Sequence, residues 1–239
     1  MKKYAHYSNL AELFEFPGPE YITRARSLLD FLREGYPEAA SELELFLDVV
    51  PKDINNLQEL HMRTFDVQAI TTLGVGYVMF GDDYKRGDML ANLNREHLLV
   101  NNDCKGELSD HLPNVLRLLS LLKDQDLREE MAGDLLTPAL TLILNEFEPE
   151  RVDKKDENYK KHYKTLIETP EGVVDKLIYG RAFKAVLRVM EKDFNQVLEV
   201  LAKLSDIAAK PPSADFLGMI QKEMEVEHFA NPQNSGGDN

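Results

Sequence analysis

The sequence predicts an all-α protein, a single helical bundle followed by a flexible C-terminal tail. Three observations lead there. Apolar residues recur at i, i+3, i+4 and i+7 almost from end to end, the spacing of a helix face. The interruptions are short and marked by proline or glycine, which joins neighbouring helices as antiparallel partners. Only one stretch, 71–81, has strand character, and no second strand pattern exists for it to pair with.

The helices follow in order. Tyr7, Leu10, Ala11 and Phe14 share a face, ended by Pro17 and Pro19. Ile22, Ala25, Leu29 and Leu32 line a second, stopped by Gly35 and Pro37. Leu43, Phe46, Leu47 and Val50 form a third, stopped by Pro51. Asp53 is placed as the N-cap of a fourth, which carries Leu57, Leu60, His61 and Phe65. In 71–81, Thr71, Thr72, Val75, Tyr77, Val78 and Phe80 favour extended backbone while Gly74 and Gly76 weaken a helix. We expect an irregular apolar segment there, with a short helical turn packed into the bundle.

Helix resumes near Tyr84 and sets Leu90, Leu93, His97 and Val100 on one face until the run Asn101, Asn102, Asp103 stops it. Asp110 is expected to cap the next helix, with Pro113 in its first turn and Leu112, Val115, Leu116, Leu119 and Leu122 as its stripe. Leu127, Met131 and Leu135 continue, and Pro138 starts or kinks a helix holding Leu142, Ile143 and Phe147. Residues 149–158 are expected to be a charged loop and 158–168 a short helix. Pro170 opens a long amphipathic pattern reaching Leu201, with a bend expected at Gly180. Pro211 and Pro212 mark a linker, so 1–210 is expected to be the helical domain and 211–239 a linker, an amphipathic helix around Phe216 to Met224, and a disordered end.

Charge narrows the function classes. With 28 Lys and Arg against 42 Asp and Glu, the formal net charge is -14. Phosphate binding needs a basic face, so nucleic acid is not an expected partner, and a basic polypeptide is. The single cysteine, Cys104, excludes an intramolecular disulfide and a multi-cysteine metal site. The N-terminal residues lack the apolar core of a secretory signal, and no apolar run approaches the ~20 residues of a membrane span. We expect a soluble, cytoplasmic protein with no direct membrane insertion.

Familiar catalytic signatures are absent: there is no phosphate loop, no GxSxG and no HExxH, and Gly74-Val75-Gly76 alone is not a dinucleotide fingerprint. The six histidines are scattered, so neither metal nor cofactor is expected. Two polar clusters beside apolar stripes remain. The first, 81–87, holds Gly81, Asp82, Asp83 and Arg86, and reads either as a capped turn with Arg86 paired to a carboxylate or as a recognition loop. The second, 107–113, holds Glu107, Asp110 and His111, and reads either as a helix start or as a surface that orients a partner.

The chain resembles the NarJ branch of the TorD-like redox-enzyme maturation chaperones. The run LAELFEFP at 10–17, the segment 58–93 with Phe65, Asp66, Thr72, Leu73, Gly81, Asp82, Arg86, Gly87, Met89 and Leu93, and the run ELSDHLP at 107–113 carry the resemblance. The chain differs from the family pattern at His61, Thr64, Tyr77, Val78 and Ser109. The resemblance implies an all-helical assembly chaperone without enzymatic activity. Such a protein binds the apo catalytic subunit of a nitrate-reductase-like molybdenum oxidoreductase through its N-terminal leader, and supports molybdenum cofactor insertion before membrane docking or export. Taken with the polar clusters and the apolar stripes, the resemblance leads us to expect client binding at His61, Phe65, Asp66, Tyr77, Gly81, Asp82, Arg86, Leu90, Glu107, Asp110 and His111, of which His61 and Tyr77 depart from the family pattern and Leu90 is chosen for its apolar face. Leu90, Leu93 and 71–80 are expected to line an apolar trough, and Asp82, Asp83, Glu107 and Asp110 an acidic rim. A permanent structural subunit of a redox complex, and a nucleotide-dependent enzyme using Asp110 and His111, stand as alternatives.

Overall fold

A computed structural model describes residues 4–67, 69–163 and 177–209. The protein is all-α: among the described residues there is no strand, only one isolated antiparallel bridge between Gly74 and His111. Two compact units are distinguished, 1–201 and 202–239. Of the second, the described residues 202–209 are helical, with Ser205 Oγ donating to the Ala202 carbonyl at 2.8 Å. The first unit holds the core and the candidate site.

The early helices form where the apolar spacing places them. They are α1 (His6–Ala11, continued by a 3-10 turn over Glu12–Phe14), α2 (Tyr21–Gly35), α3 (Pro37–Val49) and α4 (Ile54–Phe65). Asp53 caps α4 as expected, its carboxylate accepting from the Asn55 and Asn56 amides, both at 3.1 Å. The ambiguous stretch contains α5 (Val75–Phe80), the short helical turn anticipated for it. Next come α6 (Tyr84–Leu99) and α7 (Leu112–Leu121), whose stripe of Leu112, Val115, Leu116, Leu119 and Leu122 is buried throughout. Then α8 (Gln125–Glu130) leads through a π-helical turn at Met131–Leu136 into α9 (Thr137–Glu146), with Pro138 in its first turn.

Three expectations are corrected here. Asp110 does not cap α7: His111 holds the N-cap position, with no side-chain cap hydrogen bond, and the Asp110 carboxylate is engaged elsewhere. Residues 149–158 are not a loop but the start of α10 (Pro149–Tyr163). Its charged surface hides the helix from any search for apolar periodicity. Yet Glu, Lys, Arg and Asp suit a solvated helix, Pro149 suits its first turn, and Val152 alone is buried among the residues whose exposure is described. Glu146 anchors it by pairing with Arg151 at 2.8 Å and with Lys155. The long C-terminal pattern is broken at Phe194 rather than at Gly180: α11 (Tyr179–Asp193) and α12 (Asn195–Ala209) are separate helices, and Phe194 adopts extended backbone. Gly180 lies in the first turn of α11, where a Cβ would sit 3.4 Å from the Phe147 ring, so the glycine permits close packing. Expectations for 164–176 and for 211–239 lie outside the described residues.

In the core α11 packs against α3 and α9, α1 against α7, and α2 against α3. Phe183 meets Phe14 at 4.5 Å between ring centroids and Phe147 at 5.6 Å, and Tyr179 meets Phe46 at 5.3 Å. α5 packs on α9 and on α6.

Candidate functional site

The segments 71–75 and 109–112, far apart in sequence, run side by side. The Val75 amide donates to the Asp110 carbonyl at 3.0 Å, and the Leu112 amide donates to the Leu73 carbonyl at 2.8 Å. The strand character of 71–81 is thus spent on one bridge rather than a sheet. That bridge turns the Asp110 side chain inward, where it is wholly buried.

A buried carboxylate is costly unless paired. Arg86, on the first turn of α6, donates from Nε to Asp110 Oδ2 at 3.0 Å. Its guanidinium carbon lies 5.2 Å from the centroid of the Tyr77 ring, a cation–π contact. Asp110 Oδ1 is buried without a hydrogen-bond partner among the described residues. Gly76 makes the arrangement possible: a Cβ there would lie 2.0 Å from Met89 Cε and 2.9 Å from Asp110 Oδ2. Gly81 (φ 60°) supplies the left-handed turn between α5 and α6, and Asp83 then caps α6 through the Lys85 amide at 2.8 Å.

The loop between α6 and α7 is stitched down by polar groups. Asn102 Nδ2 donates to His97 Nδ1 at 2.8 Å, which leaves the His97 Nε2 proton to be donated to the Ser109 carbonyl at 3.0 Å. Ser109 Oγ donates to the Leu90 carbonyl at 3.1 Å. Asn114, wholly buried inside the apolar stripe of α7, donates to the Leu108 carbonyl at 2.9 Å and the Cys104 carbonyl at 3.3 Å. Glu15 receives Lys105 at 2.9 Å and also pairs with Arg117. Burial alone would raise the Glu15 carboxyl, but these two cations outweigh it and hold the group below the usual carboxylate value. Burial lowers the pKa of His97 and of His111, and nearby Glu107 offsets part of the effect on His111.

The nominated residues divide into two sets. Tyr77, Arg86, Leu90, Asp110 and His111 are brought together by the contacts above, with Gly81 in the turn that precedes α6. Asp82 and Glu107 are exposed on the two loops, and Tyr77 is 45% exposed. Asp110 is no part of an acidic rim, because its side chain is sealed in. The expected trough is largely filled as well: Leu73, Val75 and Leu93 are buried, and only Tyr77 and the half-buried Val78, Met79, Phe80 and Leu90 remain as apolar surface.

His61 belongs to the core. Its Nε2 donates to the Phe14 carbonyl at 3.2 Å, its ring packs on Phe16, Phe65 and Tyr179, and burial lowers its pKa. Phe65 is half-buried and meets Tyr179 at 4.9 Å, while Asp66 is exposed at the end of α4. Sequence reasoning missed Ser109, Asn102 and Asn114 as organisers of the loop. An asparagine inside a leucine stripe was the available signal, since a buried amide must find partners.

Among the described residues, no grouping of His, Cys, Asp and Glu is able to hold a metal ion, and no helix is long and apolar enough to cross a membrane. No protein-family model and no curated protein matches the chain.

Proposed function

We propose that this protein is an assembly chaperone that binds the apo catalytic subunit of a nitrate-reductase-like molybdenum enzyme. It holds that subunit's N-terminal leader and supports molybdenum cofactor insertion before membrane docking or export, in the cytoplasm and without bond-making of its own. One observation carries the reading. The three sequence blocks on which the family resemblance rests, 10–17, 58–93 and 107–113, join in the folded chain. Gln58 Nε2 donates to the Pro17 carbonyl at 2.8 Å and His61 to the Phe14 carbonyl at 3.2 Å, linking the first block to the second. Arg86–Asp110 at 3.0 Å links the second to the third.

The roles within the site differ. Asp110 acts from inside, fixing Arg86 beside Tyr77. Tyr77 offers an apolar face with a polar tip, suited to gripping a peptide. Asp82 and Glu107 add negative charge that attracts a basic leader, an attraction that salt weakens. The test is to produce the client enzyme with and without this chain and to measure its molybdenum content. A chaperone leaves the enzyme molybdenum-poor when missing and is itself absent from the purified mature complex. Full molybdenum content without the chain overturns the reading, and a stoichiometric presence in the mature complex makes the chain a structural subunit instead.

A further inference from the structure

A cleft of about 210 Å³ opens between the end of α1 and the start of α2, and none of the residues expected to bind a client lines it. Its floor is apolar: Leu13 and Tyr21 are buried, and the Tyr21 hydroxyl is already spent on the Leu13 carbonyl at 2.7 Å. Its wall is Phe16, 57% exposed, a large apolar ring left in water. That ring is held in place, edge-on to His61 at 5.5 Å, and the following Pro17 carbonyl is pinned by Gln58 at 2.8 Å. The cleft is therefore pre-formed, which lowers the ordering cost of binding.

Three carboxylates, Glu12, Glu15 and Glu20, line it against one guanidinium, Arg24. Glu15 is committed to Lys105 and Arg117. Glu20 is exposed at the mouth, and its carboxylate makes no hydrogen bond or ion pair among the described residues. Glu12 takes Arg24 at 3.5 Å, with both side chains at least a third exposed, so the pair is weak and exchangeable. The chain's own Arg24 thus shows a guanidinium at this acidic mouth. The volume is below the roughly 300–1,000 Å³ typical of small-molecule sites, and it suits a single long side chain.

We infer that this cleft is a docking site for an arginine-bearing peptide segment. The arginine stem lies along Phe16, its guanidinium reaches Glu20 and displaces Arg24 from Glu12, and an adjoining apolar residue covers the exposed ring. Arginine is favoured over lysine because its planar fork matches two carboxylates and stacks on an aromatic face. The inference rests on the cleft's own lining and applies to any polypeptide with that pattern, although Glu15 of that lining also pairs with Lys105 of the loop between α6 and α7.

The test uses the full chain and a positional-scanning library of short peptides, followed by titration of the selected peptide by fluorescence anisotropy. The library is expected to select arginine beside an apolar residue. F16S and E20K are each expected to weaken binding about tenfold or more, and R24A to strengthen it by removing the internal competitor. Both weakening substitutions are at exposed side chains, so melting temperatures should match the parent; D48N, at an exposed carboxylate of α3, is the control that leaves binding unchanged, and D82N is titrated alongside to report on the other surface. Selection without arginine enrichment, or a selected peptide indifferent to both F16S and E20K, overturns the inference. Weakening by D82N alone would place the peptide at the other surface and overturn it equally.

Discussion

Two helices of nearly equal length, α11 and α6, are held to the molecule in different ways. In α11, Tyr179, Gly180, Ala182, Phe183, Ala185, Val186, Val189 and Met190 are all buried. In α6 only Leu93 and His97 are buried, while Leu98 and Leu99 are 79% and 70% exposed. The first is fixed by apolar area, the second chiefly by a few directed contacts: Arg86 to Asp110, His97 to Ser109, and Ser109 to the Leu90 carbonyl. Apolar area tolerates small shifts, whereas directed polar contacts are made or lost one at a time. A helix fastened in the second way loosens when any one of those contacts is lost.

Substitutions sharpen the contrast. F183A removes a wholly buried ring from the α11 side and is expected to cost about 3–5 kcal/mol in urea unfolding. On the α6 side the two members of the ion pair should differ. R86A strands a sealed carboxylate and is expected to cost about 3–5 kcal/mol, because an unpaired buried charge is worse than a missing pair. D110N leaves a neutral amide inside and an Arg86 that is able to turn to solvent, so about 1.5–3 kcal/mol is expected. Equal losses for R86A and D110N would break the assignment of Asp110 as the buried member that needs its partner.

A smaller effect concerns pH. Burial lowers the folded-state pKa of His97 below its unfolded value, so the folded form resists protonation. Its contribution is fully present above the unfolded value of about 6.5 and is lost as pH falls from there through the folded value. The protection factors of α6 amides, with the intrinsic pH dependence of exchange divided out, should therefore fall below that point in the parent and less so in H97Q, while those of α11 are unaffected by the substitution. A parent and variant with the same acid response would remove His97 as the source of the acid sensitivity. Smallest of all, L99S is expected to change stability by no more than about 0.5 kcal/mol, since its side chain is already in water.

Legibility in the sequence divides along the same line. The buried face of α7, from Leu112 to Leu122, was legible because apolar area obeys helical periodicity. So was the Asp53 cap, a local matter of one carboxylate and two amides. Asp110 was misjudged as a cap because its partner stands 24 residues earlier, on another element. The resemblance named Arg86 and Asp110 together, but only the fold shows them in contact, around a Gly76 that leaves them room. Charged α10 escaped for the opposite reason: it obeys no apolar pattern, and its helix rests on propensity and on Glu146.

The proposal that the surface beside Arg86 and Asp110 grips another polypeptide is most directly tested by calorimetric titration of the full chain with the N-terminal leader of the proposed client, the catalytic subunit of a nitrate-reductase-like enzyme. The doubly substituted Y77A/E107Q chain alters only exposed side chains and should fold as the parent does. The parent is expected to bind, and this variant to bind about tenfold more weakly or worse. Equal affinity for the two chains would contradict the proposed grip.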